Sequence, residues 1–405
     1  MSSILIYNVT AVTMCDEAGV IENAYISIDG NKITYAGNEK PTGSFNITID
    51  AAGMAAMPGL VNAHTHTAMT VLRSYADDMN LQDWLFEKIF PFEDTLTPEM
   101  VYDASVNGIK EMLSTGTTCF NDMYFFQEET ARAAKELGMR GVLNEGITDS
   151  VLENKIKKTE SLEVKQPLSV GISPHAVYTC NPDTLKYCAE YAKKHNMRIH
   201  VHLSETEKEN EDCVKEYGMS PTELMEKCSL FDVPAVAAHC VWLSDKDIEI
   251  LKKHNVTVVH NPVSNLKLAS GIADIPKLSE KGVNIALGTD GASSNNNLDL
   301  FEEIKLTAIL HKWTAKNPSV LPAWEVLKMA TVNGAKALGY ENLGMLKKDY
   351  LADIILVDFN APHLTPNNNT VSNLVYAVRG SDVAYTIADG RIVYHRGKSQ
   401  DKFLI

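Results

Sequence analysis

Short apolar segments alternate with helix-like stretches from about residue 58 to residue 350, and this alternation is the strongest constraint on the fold. The stretches between the apolar segments, such as PEMVYDASVNGIKEMLSTG and PDTLKYCAEYAKKHNM, are typical of helices. Eight apolar segments behave as strand candidates: GLVNAHTH, TTCFNDM, RGVLNEGI, LSVGISPH, RIHVHLSE, AVAAHCV, TVVHNPVSN and NIALGTDG. This order predicts a (β/α)8 TIM-like barrel of the α/β class. An open doubly wound sheet is the alternative, but neither GxGxxG nor GxxxxGK[ST] follows any of these segments.

The two ends of the chain have a different character, with short alternating strands around tight turns. ILIYNVTAVTM, AYISIDGNKITYAG and SFNITIDAAGMAAM lie near the beginning, and LADIILVDF and a hairpin around Asp389-Gly390 lie near the end. Each end alone is short for an independent core. We therefore expect residues 1–57 and 351–405 to form one small discontinuous β-sandwich domain, and residues 58–350 to form the barrel.

Composition narrows the classes of partner and the compartment. The formal net charge of -15 and the pI of about 5.3 argue against nucleic acid or an anionic membrane as a partner. The N-terminal sequence lacks the pattern of a signal peptide, and no apolar run is long enough for a membrane span. The seven cysteines lack CxxC spacing, so we expect reduced thiols and a cytoplasmic protein.

Polar side chains gather where the strand candidates end. The carboxyl ends of barrel strands open on one face, so residues distant in sequence are expected to converge there. These residues are His64, His66, His175, His202, Glu205, His239, His260, Asn261 and Asp290.

Four of these residues predict a metal site. His64 and His66 have the i, i+2 spacing that points two strand side chains to the same side. His202 and Asp290 end the fifth and eighth strand candidates, whereas His200 is expected one layer deeper as a hydrogen-bonded core histidine. Three imidazoles and one carboxylate suit zinc, with ferrous iron as the alternative, better than calcium or magnesium.

Two further residues are candidates for proton transfer. Glu205 follows a predicted ligand by three residues and is a candidate general acid/base. We interpret Glu207 and Glu209 as solvated loop glutamates. His239 is expected to polarise the attacking water or to stabilise an oxyanion, with a buried barrel histidine as the alternative. His260 is expected to support the top of the seventh strand.

Several motifs, in order, resemble those of the amidohydrolase superfamily over essentially the whole chain. PGLVNAHTH, HLSET, AHC, HNPVSNLKL and LGTDGASSNNNLDL carry the resemblance, which is strongest to methylthioadenosine/S-adenosylhomocysteine deaminases and related chlorohydrolases. The resemblance implies that Glu205 shuttles protons and that His239 assists the water. The implied ligands of one divalent metal are His64, His66, His202 and Asp290. The fourth strand candidate ends in SPHAVYTC, without the lysine of two-metal members, which favours one metal.

The same resemblance implies where a nucleoside would bind. Trp84 and Glu93 occupy the places of a Trp and a Glu that contact the sugar, although amphipathic packing is the alternative for Trp84. A carboxylate can accept hydrogen bonds from both ribose hydroxyls. His175 resembles the residue that hydrogen-bonds the purine, and Glu205 also faces the substrate.

One segment departs from the family pattern. Relatives can carry an arginine near the end of the third strand that helps to bind the homocysteine carboxylate, but Glu145 stands there in this chain. If Glu145 faces the pocket, it repels a carboxylate. We therefore expect neutral 5′ substituents, as in methylthioadenosine, 5′-deoxyadenosine or adenosine, ahead of S-adenosylhomocysteine.

The expected activity is metal-dependent hydrolytic deamination of an adenine nucleoside to the inosine analogue and ammonia. The alternatives on the same site are a deaminase of a free base, such as guanine, cytosine or an oxidised purine, and a triazine chlorohydrolase. A non-catalytic binding protein is the alternative of another class, although every expected ligand and proton carrier is present. The resemblance leaves a homo-oligomer open.

Overall fold

The computed structural model describes residues 3–397 and 402–403. Its strands form two sheets, one from the middle of the chain and one from both ends. The strands are β1 (Ser3–Val12), β2 (Val20–Asp29), β3 (Lys32–Gly37), β4 (Ile47–Asp50), β5 (Met54–Pro58), β6 (Leu60–His66), β7 (Thr117–Tyr124), β8 (Arg140–Ile147), β9 (Leu168–Pro174), β10 (Ile199–Leu203), β11 (Ala235–His239), β12 (Thr257–His260), β13 (Ile285–Leu287), β14 (Asp290–Gly291), β15 (Ile354–Asp358), β16 (Val383–Ala388), β17 (Arg391–His395) and β18 (Lys402–Phe403).

Helices follow most strands of the middle section, and a π-helical turn spans Trp84–Ile89. The helix α3 begins after Thr97, whose side chain accepts a hydrogen bond from the backbone N–H of Met100, as an N-cap does. The α-helices are α1 (Leu81–Asp83), α2 (Phe90–Glu93), α3 (Pro98–Ser114), α4 (Gln127–Leu137), α5 (Leu152–Ser161), α6 (Pro182–His195), α7 (Glu207–Tyr217), α8 (Pro221–Lys227), α9 (Asp245–Lys253), α10 (Pro262–Lys267), α11 (Ile275–Glu280), α12 (Leu300–Thr314), α13 (Ala323–Met329), α14 (Val332–Ala337) and α15 (Thr370–Tyr376).

The middle sheet is a parallel barrel, which confirms the predicted (β/α)8 fold. Its strand order is β13-β12-β11-β10-β9-β8-β7-β6-β14. The eighth strand is divided into two pieces, β13 and β14, separated by residues 288–289. β13 pairs with β12 and β14 pairs with β6, so together they close the sheet. Gly288 lies in the gap between these pieces. A Cβ at this position would lie 2.7 Å from the backbone oxygen of His64, so the close approach requires glycine.

The second sheet combines strands from both ends of the chain, as expected. Its order is β18-β17-β16-β15-β5-β1-β2-β3, and β4 pairs with β1. The central pairing of β5 with β15 is antiparallel and brings residues near 56 and 356 together. Asp389 and Gly390 form the predicted hairpin turn, both with positive φ, between β16 and β17.

The barrel strands are buried on both faces and form the centre of the hydrophobic core. All residues of β6, β7 and β8 are buried, as is usual for strands of a parallel sheet that helices cover. The polar side chains at the carboxyl ends of these strands, such as His66 and His202, line the pocket of the candidate site. None of the helices in the described part of the chain is long and apolar enough to cross a membrane.

Candidate active site

A pocket opens at the carboxyl ends of the barrel strands. The structure brings nearly all the predicted site residues to its walls. His64 does not line the pocket but lies directly behind it, fully buried. The predicted residues that line the pocket are His66, Trp84, Glu93, His175, His202, Glu205, His239 and Asp290.

The four predicted metal ligands form one compact cluster. His64, His66, His202 and Asp290 each offer one ligand atom, and these atoms lie within 4.8 Å of one another. Nε2 of His64 and Nε2 of His66 each lie 3.2 Å from Oδ1 of Asp290. Nε2 of His202 lies 3.3 Å from Nε2 of His66. Three imidazole nitrogens and one carboxylate oxygen therefore converge on one buried point.

The far side of each imidazole is held by another group. Nδ1 of His64 lies 2.8 Å from Nε2 of His200, so His200 is the hydrogen-bonded core histidine that the sequence predicts. Nδ1 of His66 donates to the backbone oxygen of Met123. A ring that donates from Nδ1 keeps the lone pair of Nε2 free, and in metal sites such outer bonds fix the tautomer of the ligand.

The remaining two members of the cluster are held in the same way. Nδ1 of His202 donates to the backbone oxygen of His175 over 3.0 Å. Oδ2 of Asp290 accepts hydrogen bonds from Ser264 (2.6 Å) and Ser294 (2.9 Å), which leaves Oδ1 to face the cluster. Burial lowers the pKa of the His202 ring well below its usual value, which keeps the ring neutral as a ligand must be.

Glu205 and His239 lie together beside this cluster. Nε2 of His239 lies 3.8 Å from Oε2 of Glu205, and Nδ1 of His239 donates to Oδ1 of Asn265 over 2.8 Å. Oε1 of Glu205 accepts a hydrogen bond of 3.2 Å from Ser270. Burial raises the pKa of the Glu205 carboxyl, which moves it toward the range in which a general acid/base works.

The expectation for Glu209 is wrong. Glu207 is exposed as predicted, but Glu209 is only 3% exposed. Its carboxylate accepts the backbone N–H groups of Ser204 (2.9 Å) and Glu205 (2.8 Å). Burial raises the pKa of Glu209 to about 7. The local sequence, rich in charged residues, is typical of a solvated helix start and conceals this inward turn.

Trp84 and Glu93 lie on the pocket wall formed by the segment after β6. Trp84 is buried, and its indole Nε1 has no hydrogen-bond partner among the described residues, so one donor is available to a ligand. Burial raises the pKa of Glu93 to about 7, and the hydroxyl of Tyr124 opposes this shift. Trp84 is thus both packed in the core and exposed to a ligand in the pocket, so the two alternatives given for it do not exclude each other.

The other two predicted histidines have different surroundings. His175 lines the pocket, and its Nδ1 lies 2.9 Å from Oγ1 of Thr179, so its Nε2 is free for a ligand. Burial lowers the pKa of His175 to about 3, which keeps the ring neutral. His260 turns away toward α12, where its Nε2 lies 3.0 Å from Nε2 of His311. His260 is therefore a buried residue between strand and helix.

Glu145 does not line the pocket, so the condition for repelling a substrate carboxylate is not met. Its Oε2 accepts a hydrogen bond of 2.6 Å from Nζ of Lys155, and its Oε1 accepts the backbone N–H of Gln127 over 3.1 Å. The Lys155 ammonium also lies 4.4 Å from the centroid of the Phe125 ring, which does line the pocket. The charges of Glu145 and Lys155 are thus paired behind an aromatic wall.

Comparison with known proteins identifies the family to which this chain belongs. The profile of the amidohydrolase family matches residues 55–393, which is most of the chain. The chain belongs to the amidohydrolase family. The match starts in β5 and ends in β17, so it includes the barrel and part of the second sheet.

Relatives of this amidohydrolase extend over nearly its whole length. A 5-methylthioadenosine/S-adenosylhomocysteine deaminase of Caldanaerobacter subterraneus subsp. tengcongensis is 44% identical, covering 97% of this chain and 93% of the relative. A 5'-deoxyadenosine deaminase of Methanosarcina mazei is 46% identical with the same coverage. A zinc-bound adenosine deaminase of Xanthomonas campestris superposes with a TM-score of 0.92 at 33% identity, covering 96% and 92% of the two chains.

Sequence reasoning misses the residues of this amidohydrolase that hold the site from outside. Ser264, Ser270 and Ser294 are small residues that follow the seventh and eighth strands, in HNPVSNLKLAS and GTDGASS. Ser264 lies in α10, and Ser270 and Ser294 lie outside the helices. Their position after strand ends is a weak signal, because serine is common in any loop. Met123 acts through its backbone oxygen, which no side-chain pattern can reveal.

Proposed function

We propose that this protein is a metal-dependent deaminase of adenine nucleosides. One observation carries the proposal. The pocket joins the four-atom ligand cluster and the Glu205–His239 pair to a wall that presents Trp84 and Glu93. The relatives named above, which are deaminases of nucleosides by their names, support the same chemistry.

The donor set fits one divalent metal ion. His64, His66, His202 and Asp290 would hold it, because their ligand atoms converge and each is oriented by an outer hydrogen bond or carbonyl contact. Three nitrogen donors and one oxygen donor favour zinc, with ferrous iron as the alternative. A divalent ion lowers the pKa of water from about 16 toward about 7 and so makes hydroxide available at neutral pH.

The side chains divide the remaining steps among them. Asp290 accepts the proton that water loses, and Glu205 protonates a ring nitrogen of the adenine, which makes C6 electrophilic. The hydroxide oxygen then forms a bond to C6, and His239 stabilises the charge that develops there. The proton held by Asp290 moves to the amino group, the C6–N bond breaks, and ammonia leaves. The proton of the new C6 hydroxyl returns to Glu205 as the C6=O bond forms. Water and the adenine nucleoside thus give the inosine analogue and ammonia.

The pocket favours a nucleoside with a neutral 5′ substituent. Glu93 would accept the ribose hydroxyls, and His175 would hydrogen-bond the purine. The described residues that line the pocket include neither lysine nor arginine, while Leu81, Leu85 and Phe90 make part of it apolar. A homocysteine carboxylate would therefore lose hydration without gaining a cation. 5′-Deoxyadenosine, methylthioadenosine and adenosine suit this wall better than S-adenosylhomocysteine.

The direct test is ammonia release from a panel of substrates with metal content measured in the same samples. We expect turnover of 5′-deoxyadenosine, methylthioadenosine and adenosine, and slower turnover of S-adenosylhomocysteine. Guanine, cytosine and a chlorotriazine are the controls for the alternative hydrolases. Absence of ammonia from every nucleoside while the metal is bound would overturn the proposal.

We also propose a domain division and a setting for this enzyme. Residues 1–57 and 351–405 would form the β domain and residues 58–350 the barrel, which is supported by the two separate sheets. The substrate is a small molecule, with neither nucleic acid nor membrane as a partner, in keeping with the net charge of -15. All seven cysteines are unpaired and buried, which suits the cytoplasm. The homo-oligomer stays a prediction.

A further inference from the structure

Glu209 is a buried carboxylate that the proposed reaction does not use. It lies in the first turn of α7, where the helix is capped by Thr206, whose hydroxyl accepts the backbone N–H of Glu209. The Glu209 side chain then turns back along the chain and binds the N–H groups of both Ser204 and Glu205. The Glu209 carboxylate thus binds the backbone of Glu205, the residue proposed to transfer the proton.

An ordinary helix start in the same protein shows how unusual this is. At α8 the third residue, Glu223, binds the N–H of its own cap, Ser220, over 3.0 Å, which is the common capping-box arrangement. Glu209 occupies the same third position of α7, but its carboxylate reaches past Thr206 to the two preceding residues. Helix capping alone does not require that reach.

Ser204 and Glu205 also make hydrogen bonds to residues outside α7. Ser204 has a positive φ of 49°, and its carbonyl accepts the N–H groups of Val241 (3.0 Å) and Trp242 (2.9 Å). The Trp242 indole in turn donates to the backbone oxygen of Ser270 over 2.7 Å, and the Ser270 hydroxyl donates to the Glu205 carboxylate. Both the backbone and the side chain of Glu205 are therefore fixed after β10 ends.

We infer that Glu209 is a positioning residue that holds Glu205 in the geometry for proton transfer. The inference rests on the proposed role of Glu205. Each of the two N–H groups is bound by its own oxygen of the Glu209 carboxylate. Glutamine at position 209 replaces one of these oxygens by an NH₂ group that donates and does not accept, so one N–H faces a donor. Glu205 then loses one of the bonds that set its position, while the metal ligands and the Trp84–Glu93 wall keep theirs.

The first experiment compares Glu209→Gln with Glu207→Gln, which removes an exposed carboxylate from the same helical turn. For Glu209→Gln we expect kcat to fall on the order of 10²-fold, the scale of a misplacement of about 1 Å, with KM and bound metal unchanged. Glu207→Gln should match the unmodified enzyme. A loss of metal or a rise in KM that accounts for the lost activity would overturn the inference, because it would mark a general structural role.

The second experiment separates the inference from the proposed function by a double-mutant cycle. Once Glu205→Gln has removed the proton carrier, adding Glu209→Gln should lower kcat no further. Multiplicative losses would show that Glu209 acts independently of Glu205 and would overturn the inference. If Glu205→Gln loses activity and Glu209→Gln does not, only the positioning role fails. If Glu205→Gln stays fully active, the assigned role of Glu205 fails, and the inference fails with it.

Discussion

At the scale of single residues, Glu93 should make substrate binding depend on pH. Its pKa, raised by burial to about 7, places ionisation near neutrality, and only the ionised carboxylate accepts both ribose hydroxyls. We expect KM for nucleosides to rise as pH falls below about 7, because the protonated form gains population there. Glu93→Gln should show a high KM that no longer varies with pH. Steady-state kinetics across neutrality, with exposed Glu87→Gln as the control, would check this.

Ser264 should affect the affinity for metal more than the chemistry. Its hydroxyl donates to Oδ2 of Asp290 over 2.6 Å and so orients the opposite oxygen toward the cluster. Loss of such an outer bond typically weakens metal binding about 10–100-fold. We expect Ser264→Ala to lose metal to a chelator at correspondingly lower concentration and to recover most of its kcat at saturating metal. Ser279→Ala, an exposed serine of α11, should bind metal normally; equal affinity in the two variants would contradict the prediction.

At this scale, the sequence predicts some site residues and not others, depending on whether strand periodicity or a side-chain rotamer determines their position. Histidines and carboxylates at strand ends are visible because strand periodicity and the barrel fold predict where they point. The inward turn of Glu209 and the Glu145–Lys155 pair depend on rotamers and on the path of a helix start. A local charge pattern carries no information about either, so the sequence predicts a solvated Glu209 where the structure has a buried one.

At the scale of elements, the sequence predicts the strands and long helices but not the break in the eighth strand. NIALGTDG has the pattern of one strand, whereas the structure divides it into β13 and β14. The division arises from packing, since the gap at Gly288 fits against His64 of β6 and against Asn261, which follows β12. Contacts between strands that are distant in sequence are not encoded in the periodicity of any one of them.

Gly288→Ala tests whether that gap supports the metal cluster. The added Cβ would lie 2.5 Å from Oδ1 of Asn261 and 2.7 Å from the backbone oxygen of His64, so the strands must shift. We expect a loss of about 1–3 kcal/mol in the free energy of unfolding and weaker metal binding. Urea unfolding and chelator competition measure the two effects. Gly146→Ala in β8 is the matched control, because its Cβ would meet neighbours only at 3.7 Å, and similar losses there would contradict the prediction.

At the scale of the whole molecule, one buried arginine ties the barrel to the second sheet. Arg140, at the start of β8, donates to both carboxylate oxygens of Asp353 over 3.1 Å and to Asp389 over 2.9 Å. The side chain of Asp353 is fully buried. The sequence could predict that the two ends of the chain pair, but not this contact, because its partners are 213 residues apart and each is ordinary in its own segment.

Removing Arg140 should destabilise the molecule without changing its chemistry. Arg140→Met leaves the Asp353 carboxylate buried without its cation, and breaking a buried pair in this way typically costs about 3–5 kcal/mol. We expect that loss in the free energy of unfolding, measured with urea, while kcat per folded molecule is retained. Lys208→Met, which breaks an exposed pair with Asp212, should cost at most about 1 kcal/mol.

A second substitution tests whether the loss of stability in Arg140→Met comes from the unpaired Asp353 carboxylate or from the lost contacts of the arginine. If the uncompensated Asp353 carboxylate is the cause, Arg140→Met combined with Asp353→Leu should recover most of the lost stability, because apolar groups can replace a buried pair at little cost. Asp389 is partly exposed, and its backbone N–H donates to Oδ1 of Asp353 over 2.9 Å. Both its carboxylate and this N–H can regain hydration, so they should not limit the recovery. A double variant as unstable as Arg140→Met alone would show instead that the guanidinium holds the two sheets together by its shape and hydrogen bonds, which methionine at position 140 cannot replace.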